Sequence, residues 1–140
     1  MTAHIEEVSP DLRRVSHGRS TPEQILNSIV DGINTGNLDT LMTLYEPEAA
    51  FATRPGDLSH GVPGVRQALA GFLEMRGRLD LEVTRVLEVG DLALVTTVWS
   101  FSGTGQDGQP VKLAARSADV LRRQADGSWR LVIDNPWGTD

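Results

Sequence analysis

Apolar residues recur every three or four positions up to about residue 76 and every second position after it. That change of period predicts helices first and strands after. Thr21-Pro22-Glu23-Gln24 reads as a helix start, with a capping threonine, a proline at the first helical position and a glutamine that completes a capping box. Ile25, Leu26, Ile29, Val30 and Ile33 then form one stripe, so the spacing predicts a helix over 22–35. Gly36 ends it and Asn37 caps a second helix over 37–46, with Leu38, Leu41, Met42 and Tyr45 as its apolar face and Pro47 as its stop. A short strand is predicted over 49–53, a turn at Arg54-Pro55-Gly56-Asp57, and a third helix over 63–76 on Val65, Ala68, Leu69, Phe72 and Met75.

Alternation then takes over. Leu79, Leu81 and Val83 interleave with Asp80, Glu82 and Thr84, and the pattern predicts long strands near 79–89, 91–102, 110–123 and 128–135. Val89-Gly90-Asp91, the glycine-rich stretch from Gly103 to Pro110, and Gln124-Ala125-Asp126-Gly127 separate them. Helices followed by a meander mean an α+β domain rather than alternating βαβ units. Residues 1–20 keep no period, although Ile5, Val8, Leu12 and Val15 would suit a short helix; they read as a polar N-terminal arm ahead of one pocket domain over 21–140.

Composition narrows the function classes. The chain of 140 residues has no cysteine, which removes disulfides, thiolate catalysis and cysteine metal sites. A formal charge of −6 argues against nucleic-acid partners. No apolar run is long enough for a membrane helix and the N-terminal stretch lacks the apolar core of a secretory signal, so a cytoplasmic protein is expected. His4, His17 and His60 are scattered without ligand spacing, so no metal and no cofactor is expected.

Four segments resemble the nuclear-transport-factor-2-like superfamily, in its SnoaL-like and ketosteroid-isomerase-like branch. They are Asn37-Leu38-Asp39 through Tyr45-Glu46-Pro47-Glu48-Ala49-Ala50-Phe51, then His60-Gly61, then Val89-Gly90-Asp91-Leu92-Ala93-Leu94-Val95, and last Ala118-Asp119-Val120-Leu121-Arg122-Arg123 with the hairpin that ends at Asn135. The ending Ile133-Asp134-Asn135-Pro136-Trp137-Gly138-Thr139-Asp140 is most similar to a bacterial subfamily of unassigned function. The resemblance implies three N-terminal helices packed on a curved antiparallel sheet, a cone with an interior pocket, also called cystatin-like. It further implies a small-molecule ligand in the pocket and a homodimer formed on the other sheet face.

Ketosteroid isomerases use an aspartate base and an oxyanion hole of a tyrosine and a protonated aspartic acid. Carried over onto this chain, the oxyanion-hole aspartate falls at Asp119, the base at Thr53 or Arg54, and the tyrosine near Ile29. Two of the three roles are therefore missing, and steroid isomerisation of that kind is not expected.

Strand parity offers a replacement. A short turn at 124–127 would bring Asp119 and Asp134 to one face of neighbouring strands, near Tyr45, Thr53 and Trp137, with Leu94, Val98 and Val132 excluding water. Two carboxyls in an apolar cavity cannot both ionise easily, so one would hold a proton near neutral pH and act as acid or base. The alternative is a structural pairing of either aspartate with Arg116, Arg54 or a backbone donor. Those arginines could anchor an anionic ligand or serve as surface ion pairs, and Arg116 has the wrong parity for the pocket. His60 is either an acid or base at the pocket mouth or a helix-start residue. Tyr45 and Trp137 are ligand contacts or core. Two functions follow: cofactor-free proton transfer (isomerisation, cyclisation or dehydration) on a mostly apolar ligand, or a non-catalytic binding or dimerisation module.

Overall fold

A computed structural model describes residues 19–138. The arm expected over 1–20, with its short helix, His4 and His17, lies outside the described residues except for Arg19 and Ser20. The elements run α1 (Pro22–Thr35), α2 (Leu38–Met42), β1 (Tyr45–Arg54), β2 (Asp57–His60), α3 (Gly61–Glu74), β3 (Arg78–Val89), β4 (Leu92–Thr104), β5 (Pro110–Arg123) and β6 (Trp129–Asp134). One curved sheet has the order β2-β1-β6-β5-β4-β3. The helices cover one face of it, and the core lies between.

The first helix forms as its sequence dictates. The Thr21 hydroxyl accepts from the Gln24 amide at 3.2 Å, and the Gln24 side chain accepts in return from the Thr21 amide, also at 3.2 Å. Gly36 closes the helix at φ 73°, a left-handed conformation that suits glycine. Ile25, Leu26, Ile29 and Ile33 are buried against the sheet, each stabilising the fold by roughly 1.5–3 kcal/mol relative to exposure. Asn34 reaches from α1 to the edge strand β3, donating to the Leu79 carbonyl at 3.0 Å and accepting from its amide at 2.7 Å. That clamp occupies backbone groups an edge strand would leave open.

The second helix is shorter than its apolar spacing predicts. It ends at Met42, and Tyr45 begins a strand instead of closing a helical turn. Pro47 explains the difference, because it has no N–H to donate and pushes Glu46 toward extended backbone. The strand accommodates it in an irregularity: Tyr45 pairs with Leu131 of β6, and the next paired residue of β1 is Ala50, opposite Ile133. The third helix starts two residues earlier than expected, at Gly61. The four-residue strand β2, which pairs back onto β1, falls where only a turn and a helix lead-in were expected.

The sheet is not antiparallel throughout. Strands β3 to β6 form an antiparallel meander, but β1 lies parallel to β6. The β1–β2 hairpin thus joins the meander through its final strand. The register between β5 and β6 also shifts once. Leu121 pairs with Leu131 and Val120 with Ile133, which leaves Val132 as an extra residue on β6, the signature of a bulge.

Gly77 marks the tightest crossing between the α3–β3 turn and β4. A Cβ there would stand 2.1 Å from the Ser102 carbonyl oxygen and 2.6 Å from the Phe101 ring. Gly71, in the exposed middle of α3, would meet nothing within 4 Å. Gly77→Ala is therefore expected to lower unfolding free energy by about 1–3 kcal/mol through overpacking, while Gly71→Ala raises it by about 0.5–1 kcal/mol. Urea denaturation checks both. Equal effects at the two sites would contradict the close approach at Gly77.

Candidate active site

Seven elements, α1, α3, β1, β3, β4, β5 and β6, line one cavity between the helices and the sheet. On β5, Ser117, Asp119 and Leu121 point inward by alternation, and all three are buried. Asp119 is directly opposite Val95 of β4. On β6, regular alternation from Trp129 and Leu131 would send Ile133 inward and Asp134 outward. The bulge at Val132 reverses this. Ile133 is exposed on the outer face, and Asp134 joins Asp119 on the cavity wall. Tyr45, carried at the start of β1 beside β6, donates its hydroxyl to Asp134 Oδ2 at 2.5 Å.

The hydrogen bonds form one chain. The Asn135 amide donates to Asp119 Oδ1 at 2.8 Å, and Ser117 Oγ donates to Asp119 Oδ2 at 2.8 Å. Thr97 Oγ1 lies 2.6 Å from Ser117 Oγ. Since Ser117 spends its only proton on Asp119, Thr97 is the donor of that pair. Around these polar groups the cavity is apolar. Leu26, Ile29 and Ile33 come from α1, Leu69 and Phe72 from α3, and Phe51, Leu79, Leu81, Trp99, Phe101 and Pro136 complete the lining. The free volume is about 60 Å³, several times what one water needs. Trp99 donates to the Pro136 carbonyl at 2.8 Å and so ties the segment after β6 to the cavity wall.

Electrostatics follow from this enclosure. Burial, and then the charge of Asp134, raise Asp119 well above the ordinary carboxyl range. Burial raises Asp134 to about 6, against hydrogen bonds from Tyr45 and Asp119 that favour its ionised form. Burial and the Asp134 charge push Tyr45 well up. Both shifts favour one proton shared by the pair, held on Asp119 in preference to Asp134.

The other expected site residues are placed elsewhere. Thr53 and Arg54 are exposed at the end of β1, where Arg54 Nε pairs with Asp57 at 2.7 Å. His60 is exposed at the N-cap of α3 and its side chain makes no capping bond. Arg116 is exposed on the outer sheet face, opposite Val98. The expectation that Leu94, Val98 and Val132 wall the carboxyls is corrected. Leu94 and Val98 alternate out of phase with Val95, Thr97 and Trp99 and are exposed, and Val132 is the bulge residue, off the cavity lining. Trp137 packs edge-on to Trp99, with ring centroids 5.6 Å apart, and lies outside that lining. Ser117 and Thr97 escaped the sequence reading. Ser117 shares the parity of Asp119 two residues on, a signal that could have found it.

Because both carboxyls are raised, their contribution to stability is complete below about pH 4, where the unfolded carboxyls are also protonated, and is lost as pH rises through 6 and beyond. Asp119→Asn keeps a neutral donor facing Asp134 without that loss. The melting-temperature difference between variant and wild type is expected to shift in favour of the variant from pH 5 to pH 8. A difference independent of pH would mean that Asp119 titrates normally.

Comparison with known proteins agrees with this architecture. Among curated proteins no sequence matches the chain. Among solved structures, a ketosteroid isomerase-like protein from Erwinia carotovora atroseptica superposes with a TM-score of 0.68 at 18% identity, covering 80% of this chain and 88% of that one. A candidate dehydratase of the NTF2-like family from Streptomyces avermitilis gives 0.65 at 20% identity, with 79% and 89% covered. A candidate calcium/calmodulin-dependent protein kinase type II association domain from Thiobacillus denitrificans gives 0.67 at 22%, with 82% and 92% covered. At these identities the likeness concerns the fold alone. Residues 26–132 match the family described as the SnoaL-like domain, and the chain belongs to that family.

Proposed function

We propose that this protein catalyses cofactor-free proton transfer on a small, mostly apolar ligand, with Asp134 as base and Asp119 as the acid that shares its proton. One observation carries the reading: two neighbouring carboxyls, Asp119 buried and Asp134 half-buried, and a tyrosine hydroxyl stand on the wall of a cavity that is mostly hydrocarbon. A base poised near 6 is well matched to work at neutral pH. Asp119 can return a proton to a second position, which suits isomerisation, cyclisation or dehydration. The test is to identify a co-purifying ligand by native mass spectrometry and follow its solvent-deuterium incorporation. Asp134→Asn is expected to cut the exchange rate by about 10²-fold or more with the circular-dichroism spectrum unchanged. The wild-type rate should rise with pH through about 6. Undiminished exchange in Asp134→Asn would reject Asp134 as the base.

A homodimer belongs to the same proposal, on a different observation. Leu87, Leu94, Val120 and Ile133 are register partners and form one apolar row across the outer faces of β3, β4, β5 and β6. Leu87, Leu94 and Ile133 are exposed. Exposed Glu82, Arg85 and Arg116 flank the row, so a second copy turned by a twofold axis can meet apolar with apolar and acid with base. Light scattering at micromolar concentration is expected to give the mass of two chains, and Leu94→Asp the mass of one. A wild-type monomer would remove this part of the proposal.

A further inference from the structure

Among the described residues, every side-chain hydrogen-bond donor on the cavity wall is already committed. Tyr45 donates to Asp134, Ser117 to Asp119, and Trp99 to the Pro136 carbonyl. The buried Trp137 Nε1 has no partner among the described residues, but Trp137 is not part of the lining. Among the described residues, no lysine, arginine or histidine lines the cavity. A ligand carbonyl that gains negative charge would find no free donor here and would face the Asp134 carboxylate. An anionic ligand would fare worse.

The unmet capacity runs the other way. A carboxylate offers about four lone-pair sites, and among the described residues Asp134 receives side-chain donors from Tyr45 and Asp119 only. Tyr45 stands beside it, and the rings of Phe51, Phe72, Trp99 and Phe101 line the same cavity. Consecutive members of the series Tyr45, Phe51, Phe72 and Phe101 have centroids 6.5, 6.5 and 5.5 Å apart. Aromatic rings attract cations in dry surroundings.

From this arrangement we propose that the cavity takes a small organic ammonium or iminium ion, its N–H groups on Asp134 and its hydrocarbon part among the aromatic rings. The inference rests on the site assigned above and names its ligand class. It also removes a difficulty of charge. A proton handed from a cation to the Asp134 carboxylate leaves a neutral ligand and a neutral acid, so no oxyanion donor is needed.

Three ligands of similar skeleton and different charge test the class: isopentylammonium, isopentanol and isovalerate, titrated calorimetrically into the full chain. At about pH 7.5 the ammonium is expected to bind at least about tenfold more tightly than the alcohol, and isovalerate not at all. The preference should fade as pH drops through about 6, because among the described residues the only titratable groups lining the cavity with Asp134 are Tyr45 of β1 and Asp119 of β5; α1, α3, β3 and β4 line it without an ionisable side chain. Asp134→Asn should abolish the preference, and the wild-type pH series gives the same information if that variant does not fold. An alcohol that binds as tightly as the ammonium, binding of isovalerate, or no binding by any of the three at millimolar concentration would overturn the assignment. Alcohol preference with deuterium exchange intact would leave proton transfer standing. Ammonium preference without exchange would leave the ligand class standing and remove the catalysis.

Discussion

One proton shared by two enclosed carboxyls is the feature on which the rest depends. Asp119 is inward by simple alternation, but Asp134 reaches it only because β6 carries one extra residue at Val132. Without that bulge, Asp134 would face outward and Ile133 would fill its place. The bulge therefore exchanges an isoleucine for a carboxyl in the cavity wall, at a cost in desolvation that the Tyr45, Ser117 and Asn135 donors partly offset. The same cost raises both carboxyls above their ordinary range, and the proposed proton transfer draws on that shift.

The surrounding fold serves this enclosure. Helices α1 and α3 bring only hydrocarbon to the cavity, and Pro136, tied by Trp99, closes the wall beyond β6. Tyr45 is placed by the irregularity that Pro47 imposes on β1. The chain shares its fold with a ketosteroid isomerase-like protein, yet its polar groups are distributed differently from the roles that resemblance implies. Ile29 is apolar and lines the cavity, while Thr53 and Arg54 are exposed and away from it. Chemistry here is set by the side chains grafted on the fold, not by the fold.

Much of the architecture was legible in the residues. Helix α1 and the four long strands follow from periodicity, capping and turn residues, and Asp119 follows from parity on a regular strand. The placement of Asp134 was read from a short turn, whereas the structure achieves it through a bulge. The same bulge is why Val132 and Asp134, which alternation puts on one face, part company. Val98 and Leu94 were misplaced for a related reason: a strand apolar on both faces, such as Leu92–Thr104, does not declare which face is inward. The extended backbone at Tyr45 and the parallel β1–β6 pairing depend on contacts more than eighty residues apart in sequence, which no local pattern records.

The central claim concerns protons and can be read directly. Carbon-13 NMR of the aspartate carboxyls, assigned through Asp119→Asn and Asp134→Asn, follows the pair through a pH titration. The account predicts that one proton leaves the pair near pH 6, from Asp134, and that Asp119 keeps the other well above the ordinary carboxyl range. Both carboxyls titrating independently near about pH 4 would contradict it.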